Sequence, residues 1–296
     1  MQTKILIRRA GALGDVLLTT PVVHRLRKEN PDAIIDIETN NPTAYQGPYW
    51  KNPDISNILH TATGEYHQAV ELNMASERNR TIHQIDAYFE TAFSDHGKNA
   101  EEKQIIFPFE AALDRLPEFL TDLDWNLVVC IHPNISWPNR CIPNPVWKGL
   151  TEKLNHAGYT VGLLGTRIDQ TIDSPWIVDS RGLLDLCQQA AVISKSRALV
   201  CGTSSLLSLA GATEIPIVCF FTITKSEQAF PFRHGLLGWN CAALTPDIAC
   251  YGCSEKAGAV TYVGCARGDL ACLSLFNAET AFQTVTKAIE RDRRKS

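Results

Sequence analysis

Short apolar runs alternate with longer stretches whose apolar residues recur at helical spacing, the pattern of parallel sheets joined by crossover helices. Two sets of such runs occur. In the first, residues 4–9, 33–38 and 69–72 read as strands, and residues 16–28, rich in Leu and Val, read as a helix. The second set is sharper. Strands at 127–131, 160–164, 198–201 and 217–221 alternate with helices at 145–157, 183–193 and 206–212, a β-α-β-α-β-α-β series. Between the sets, residues 107–124 hold two prolines, several acids and no strong strand, which places a linker near 110–123. The pattern therefore predicts an N-terminal domain over 1–115, a C-terminal domain over 124–276 and a terminal helix over 277–296. Asn277 is the expected N-cap of that helix, and its basic end suits a solvated helix terminus. Two doubly wound halves of this kind leave a cleft between the carboxyl ends of their strands, where ligands of such sheets bind.

Length and composition support this picture and remove some alternatives. A chain of 296 residues suits two domains, and 45% hydrophobic with 20% charged residues is ordinary for a folded globular protein. A formal charge of -4 argues against nucleic acid as a main partner. No uninterrupted apolar run reaches the ~18 residues of a membrane span, and Met1-Gln2-Thr3-Lys4 leads into a strand rather than a signal sequence. A cytoplasmic location is expected. Ten cysteines there point to reduced thiols, with metal ligation as the use to check. Cys130, Cys187, Cys201 and Cys219 lie in apolar strand or helix patterns and read as small buried hydrophobes.

Three segments that follow strands carry the candidate chemistry. After the first strand comes Gly11-Ala12-Leu13-Gly14-Asp15, where glycines let the chain turn and Pro21, with Thr20 as cap, suits a helix start. The G-x-x-G-D spacing is neither a dinucleotide fingerprint nor a phosphate loop. Asp15 is either a helix-start acid or a group at a cleft-facing loop. The second segment is His132-Pro133-Asn134-Ile135-Ser136-Trp137-Pro138-Asn139-Arg140, which puts Ser136, Asn139 and Arg140 at the carboxyl edge of the second sheet. The Arg140 guanidinium could pair with diphosphate oxygens or simply be a surface arginine. His132, between Ile131 and Pro133, reads as a packed histidine rather than a ligand or base. In the third segment, Thr203, Ser204 and Ser205 precede an apolar helix, where free backbone N–H groups favour an anion and the same hydroxyls also make a cap.

Taken together, these segments resemble the heptosyltransferase family, inverting GT-B glycosyltransferases that build lipopolysaccharide inner core from ADP-heptose. The run from Ile5 through Gly14-Asp15 to Pro21 is similar to the family's opening motif. Residues 132–147, with Ser136-Trp137-Pro138 and Arg140, look like its donor-phosphate loop, and His83-Gln84-Ile85-Asp86 like its His-x-x-Asp stretch. The resemblance implies a GT-B fold, with Asp15 as catalytic base, Arg140 as the cation that steadies the leaving diphosphate, and Ser136, Thr203, Ser204 and Ser205 as donor-binding groups. It also implies a nucleotide-diphosphate sugar donor, ADP-heptose first among them, and a saccharide, lipopolysaccharide or protein acceptor, with no cofactor for transfer. One departure stands out. Where the family has Asp-(Ser/Thr)-Gly-x-x-His, this chain has Thr203-Ser204-Ser205-Leu206-Leu207-Ser208, so the acid and the histidine are absent. A non-catalytic nucleotide-binding or assembly protein that keeps the fold is therefore the alternative.

Cys250, Cys253, Cys265 and Cys272 form a C-x2-C-x11-C-x6-C array. Four thiolates can hold Zn or Fe tetrahedrally, and relatives in the resembled family use such a cluster for iron. A structural metal staple is expected, against a disulfide or free thiols on a loop; a subunit contact, and hence an oligomer, is compatible with either.

Overall fold

The computed structural model describes residues 2–43, 52–97, 100–134, 136–174, 176–255 and 264–292. Ile135, residues 256–263 of the Cys-rich segment and residues 293–296 at the expected end of the terminal helix lie outside the described residues. Strands and helices alternate in chain order: β1 (Lys4–Arg8), α1 (Leu13–Leu17), α2 (Thr20–Glu29), β2 (Ile34–Glu38), β3 (Asn57–Leu59), β4 (Gln68–Glu71), α3 (Ala75–Arg78) and α4 (Gln84–Phe93) come first. Then follow β5 (Val128–His132), α5 (Asn144–His156), β6 (Thr160–Leu163), β7 (Ile177–Asp179), α6 (Leu186–Lys195), β8 (Ala198–Gly202), α7 (Ser205–Ala210) and β9 (Ile217–Phe220). The series ends with α8 (Ser226–Ala229), β10 (Phe232–Arg233), β11 (Leu236–Leu237), β12 (Cys241–Leu244) and α9 (Ala278–Glu290).

Among the described residues these strands build two parallel sheets, with order β3-β2-β1-β4 and β12-β9-β8-β5-β6-β7, and β10 and β11 pair separately as a short antiparallel ribbon. Numbered within its own half, the larger sheet runs 3-2-1-4-5-6 when read from β7, the doubly wound order whose direction reverses between the first and fourth strands. That reversal falls between β5 and β8. In the smaller sheet it falls between β1 and β4. The segments singled out from sequence follow β1, β5 and β8, so topology sends all three to reversal points.

Packing explains why these strands were visible in sequence. Every residue of β5 and of β8 is buried, and alternate side chains serve opposite helix layers. Val128 and Cys130 join a cluster with Cys187, Ala190 and Ile193 of α6, while Val129 and Ile131 join Trp147, Leu150 and Leu154 of α5 and Val285 and Ile289 of α9. A strand covered on both faces reads as a continuous apolar run. Helix α9 belongs to this second layer, with Gly149 of α5 so close to Ala278 that an added Cβ would meet it at 2.8 Å. Cys130, Cys187, Cys201 and Cys219 are buried, as their patterns suggested.

The expected single helix over 16–28 is two helices. Pro21 has no N–H to continue the ladder from α1, so the chain restarts with Thr19 as the N-cap. Thr19 and Thr20 hydroxyls turn back to the carbonyls of Val16 and Leu17 at 2.7 and 2.8 Å, closing the end of α1. Asp15 therefore sits in the first turn of a short helix rather than in a loop.

Candidate active site

The halves meet around a cleft of about 920 Å3 whose lining includes Asp15, Ser136, Arg140, Thr203, Ser204 and Ser205. These residues come from three segments far apart in sequence. The two halves touch at its base, where an added Cβ on Gly14 of α1 would lie 3.5 Å from Ser205 Cα and from Ser208 Oγ of α7. Small residues here allow the two helix starts to face one cavity at close range.

Asp15 is anchored on both carboxylate oxygens. Oδ2 accepts from the Ala12 backbone N–H at 2.8 Å, and Oδ1 accepts from Gln84 Nε2 at 2.8 Å. Arg9 Nη2 lies 3.1 Å from Oδ1 and 2.7 Å from Glu77 Oε1, and its Nε donates to the Tyr88 hydroxyl at 2.6 Å. Burial works against the Arg9 charge, but Tyr88, Asp15 and Glu77 outweigh it and hold the guanidinium above its ordinary pKa. Burial likewise opposes the Glu77 charge, while Arg9 holds that carboxyl below its usual value. A buried cation thus fixes two carboxylates at the wall of the cleft. Gly11, at φ +123°, is required for this geometry: a Cβ there would meet Asp15 Oδ2 at 2.7 Å.

On the opposite wall, the Arg140 guanidinium carbon lies 4.4 Å from the Trp137 ring centroid, and Nη1 donates to the Thr203 carbonyl at 3.3 Å. The second and third segments are joined by this arginine. Thr203 and Ser204 lead into α7, with Ser204 at the N-cap and no side-chain capping bond. His132 is packed, only 5% exposed, but it also lines the cleft, with Nδ1 3.0 Å from Ser204 Oγ and Nε2 3.5 Å from Asp169 Oδ2. Asp169 and Glu77 were not singled out from sequence, and Arg9 and Gln84 entered only as members of the segments that resemble the family's opening motif and His-x-x-Asp stretch. They reach the site through sheet topology, and the one local signal for Asp169 is its place just after Gly165 at the carboxyl end of β6.

The four C-terminal cysteines lie apart from the cleft lining, although Ser254 between Cys253 and Glu255 reaches it. Gly252, at φ +72°, makes the C-x-x-C turn, and its N–H donates to the Thr222 carbonyl at 3.1 Å. Burial pushes the Cys272 thiol up, and the charges of Cys250, Cys265 and Cys253 push in the same direction. At Cys265 burial acts upward too, but backbone N–H groups of Leu270, Arg267, Gly268 and Asp269 hold the thiol below its ordinary value. A donor set of thiols with N–H groups aimed at sulfur fits a soft or borderline ion. Yet among the described residues no three His, Cys, Asp or Glu side chains stand in a ligating arrangement, so the expected tetrahedral cluster is not formed in this structure.

Comparison with known proteins places this architecture. A search of curated proteins found no match to the sequence. Among solved structures, the chain is similar to the family 9 glycosyl transferase from Veillonella parvula, at 16% identity and TM-score 0.72, with 98% of this chain and 97% of that one covered. It is similar to the iron-containing dodecameric glycosyltransferase TibC from enterotoxigenic E. coli H10407, at 14% identity and TM-score 0.74, with 100% and 81% covered. It is also similar to the E. coli ADP-heptose lipopolysaccharide heptosyltransferase II, at 14% identity and TM-score 0.68, with 99% and 100% covered. At these identities the likeness establishes the two-domain GT-B fold. The family model described as glycosyltransferase family 9 (heptosyltransferase) matches residues 21–240, which excludes Asp15 but includes Arg140 and the Thr203–Ser205 segment. With most of the chain matched by that model, this protein belongs to glycosyltransferase family 9.

Proposed function

We propose that the protein transfers a sugar, heptose or one similar to it, from a nucleotide-diphosphate donor to an acceptor hydroxyl with inversion at the anomeric carbon. The observation that carries this reading is the convergence of Asp15 from one half and Arg140, Thr203, Ser204 and Ser205 from the other on a single cleft. Asp15 takes the proton of the acceptor hydroxyl. The acceptor oxygen forms its bond to the anomeric carbon from the face opposite the diphosphate, while the carbon–oxygen bond to the diphosphate breaks and its electron pair leaves with the diphosphate. Arg140, held over Trp137, faces that developing charge together with the N–H groups at the start of α7 and the Ser136 hydroxyl. Arg9 and Gln84 fix the carboxylate of Asp15, so acceptor alignment supplies much of the rate.

ADP-heptose is the first donor to try, because the solved TibC complex contains ADP-D-beta-D-heptose and a WaaC structure contains ADP. The acceptor is a saccharide, lipopolysaccharide or protein hydroxyl, and the reaction belongs in the cytoplasm. Among the described residues no helix is long and apolar enough to cross a membrane. The four C-terminal cysteines are proposed to hold one structural Zn or Fe, a reading that rests on their C-x2-C-x11-C-x6-C spacing; TibC is described as iron-containing and dodecameric, which makes assembly of this chain worth measuring.

A thermal-shift screen of nucleotide-diphosphate sugars, followed by transfer assays with the binding donors, tests the reading, because a ligand specific to the folded state raises its stability. Binding followed by transfer or donor hydrolysis is expected. Binding without any turnover would instead favour a nucleotide-binding or assembly protein, the reading supported by Thr203 and Ser208 in place of the acid and histidine.

A further inference from the structure

The loop after β6, the end of β5 and the start of α7 set Asp169, His132 and Ser204 in line along the cleft. Asp169 is itself fixed, because Oδ2 accepts from the Thr166 N–H at 2.7 Å and from the Thr166 hydroxyl at 2.8 Å. Gly165, at φ +123°, leaves the space this requires: a Cβ there would come within 2.6 Å of Asp169 Oδ2 and 2.8 Å of the His132 ring. His132 and Asp169 are both buried, yet both line the cavity with Ser204. The Ser204 hydroxyl occupies an N-cap position without capping its helix, and pairs with the imidazole instead.

Building on the transferase reading, we propose that His132 and Asp169 are positioning residues that set the direction of the Ser204 hydrogen bond, so that Ser204 donates to the donor diphosphate when His132 is charged and turns away when it is neutral. The reasoning follows the two ring nitrogens. Burial pushes the Asp169 carboxyl up, but His132 and Thr166 outweigh it and hold the group at about 2. The fixed Asp169 carboxylate faces Nε2 and favours a proton there, so Nδ1 is the nitrogen that differs between the charged and the neutral ring. Charged His132 donates from Nδ1 to Ser204 Oγ and leaves the Ser204 proton free for phosphate. Neutral His132 accepts that proton at Nδ1, which turns oxygen lone pairs toward an anion. Titratable and charged groups near the ring and its carboxylate include Asp169, the Cys201 thiol opposite it in β8, Arg140, which reaches the Thr203 carbonyl one residue before Ser204, and Arg181, whose Nη1 donates to the Asp169 carbonyl at 2.6 Å. Arg140 keeps its charge throughout, and no bond is made or broken in the switch.

The test uses the whole protein with ADP as probe, and UDP and GDP as further probes, in calorimetric titrations from ~pH 5.5 to ~pH 8.5. The terminal phosphate of ADP titrates equally in every variant, so differences between variants isolate the protein. His132→Asn offers an amide N–H near the place of Nδ1 at every pH, and should hold ADP ~10-fold more tightly than wild type at the alkaline end while matching it at the acidic end. Ser204→Ala should bind weakly, with no dependence beyond that of ADP itself. Parallel pH profiles for wild type and both variants would overturn the switch while leaving the transferase reading standing. If wild type binds none of the three nucleotides, both fall together. Nitrogen-15 NMR of the histidine rings covers the case in which a variant does not fold: His132 must change charge within the range and respond to ADP, and a ring that stays neutral throughout rejects the proposal.

Discussion

Asp15 offers an acceptor only what its neighbours leave free. One oxygen is held by the Ala12 N–H and the other by Gln84 and Arg9, so the carboxylate is oriented before any substrate arrives. Asp15→Asn retains the side-chain shape and removes the proton acceptor of the proposed mechanism. Transfer should fall ~100-fold or more, the scale of general-base catalysis, while affinity for the nucleoside diphosphate stays nearly constant. Undiminished turnover in that variant would take Asp15 out of the mechanism. Arg140 has the opposite profile, since it stands at the junction of the second and third segments. Arg140→Ala should weaken nucleoside diphosphate binding by about 1.5–3 kcal/mol, the range for hydrogen bonds to charged groups, as read by calorimetry. An unchanged affinity would place it outside the donor site. Both residues were legible in sequence because each follows a strand in a recognisable segment. Arg9, Glu77 and Asp169 were not, because nothing local marks a buried ion pair assembled from β1 and α3, or a carboxylate brought under His132 by the pairing of β5 with β6.

At the scale of elements, the same contrast separates strands. β1, β5, β8 and β9 are covered on both faces or nearly so, and their unbroken apolar runs could be read directly. β3, β7 and β12 are short edge strands, mostly half-exposed, and present no run or alternation long enough to register. The Cys-rich segment is a third case, in which sequence spacing suggested a cluster that is not assembled among the described residues. The turn over Cys250–Cys253 is tied to the strand end at Thr222, whereas Cys265 and Cys272 stand beyond residues 256–263. If an ion closes the set, protein purified without chelators should carry close to one Zn or Fe per chain by elemental analysis. Cys253→Ser should then lose the ion and lower the unfolding temperature, because a structural metal contributes folding free energy directly. Substoichiometric metal, or four thiols that react freely under native conditions, would reject the staple.

For the whole molecule, the question is what keeps the two halves facing one cleft. Besides the approach of Gly14 to Ser205, Gln228 Nε2 donates to the Arg80 carbonyl at 2.6 Å, and His83 Nε2 donates to the Phe230 carbonyl at 3.0 Å. The His83 ring also meets Phe232 edge-on at 4.8 Å, and its Nδ1 accepts the Ile85 N–H at the start of α4. Both nitrogens are thus committed in the neutral form, and protonating Nδ1 would break the cap. Burial is the main cause that pushes His83 down, and Lys103 adds to it; Asp86 and the Phe230 carbonyl act the other way, and the result is about 4. The unfolded chain, with an ordinary value near ~6.5, then binds the extra proton first. Stability associated with this group is therefore whole above that unfolded value and falls as pH drops from it toward the folded value. Between ~pH 7 and ~pH 5 the loss from His83 alone amounts to about 2 kcal/mol. Urea unfolding at the two pH values should show that loss in wild type. His83→Gln should be weaker at neutral pH, having lost a contact between the halves, but its stability should fall about 2 kcal/mol less on acidification. An equal fall in both proteins would mean that acid acts elsewhere and that the joint at His83 does not sense it.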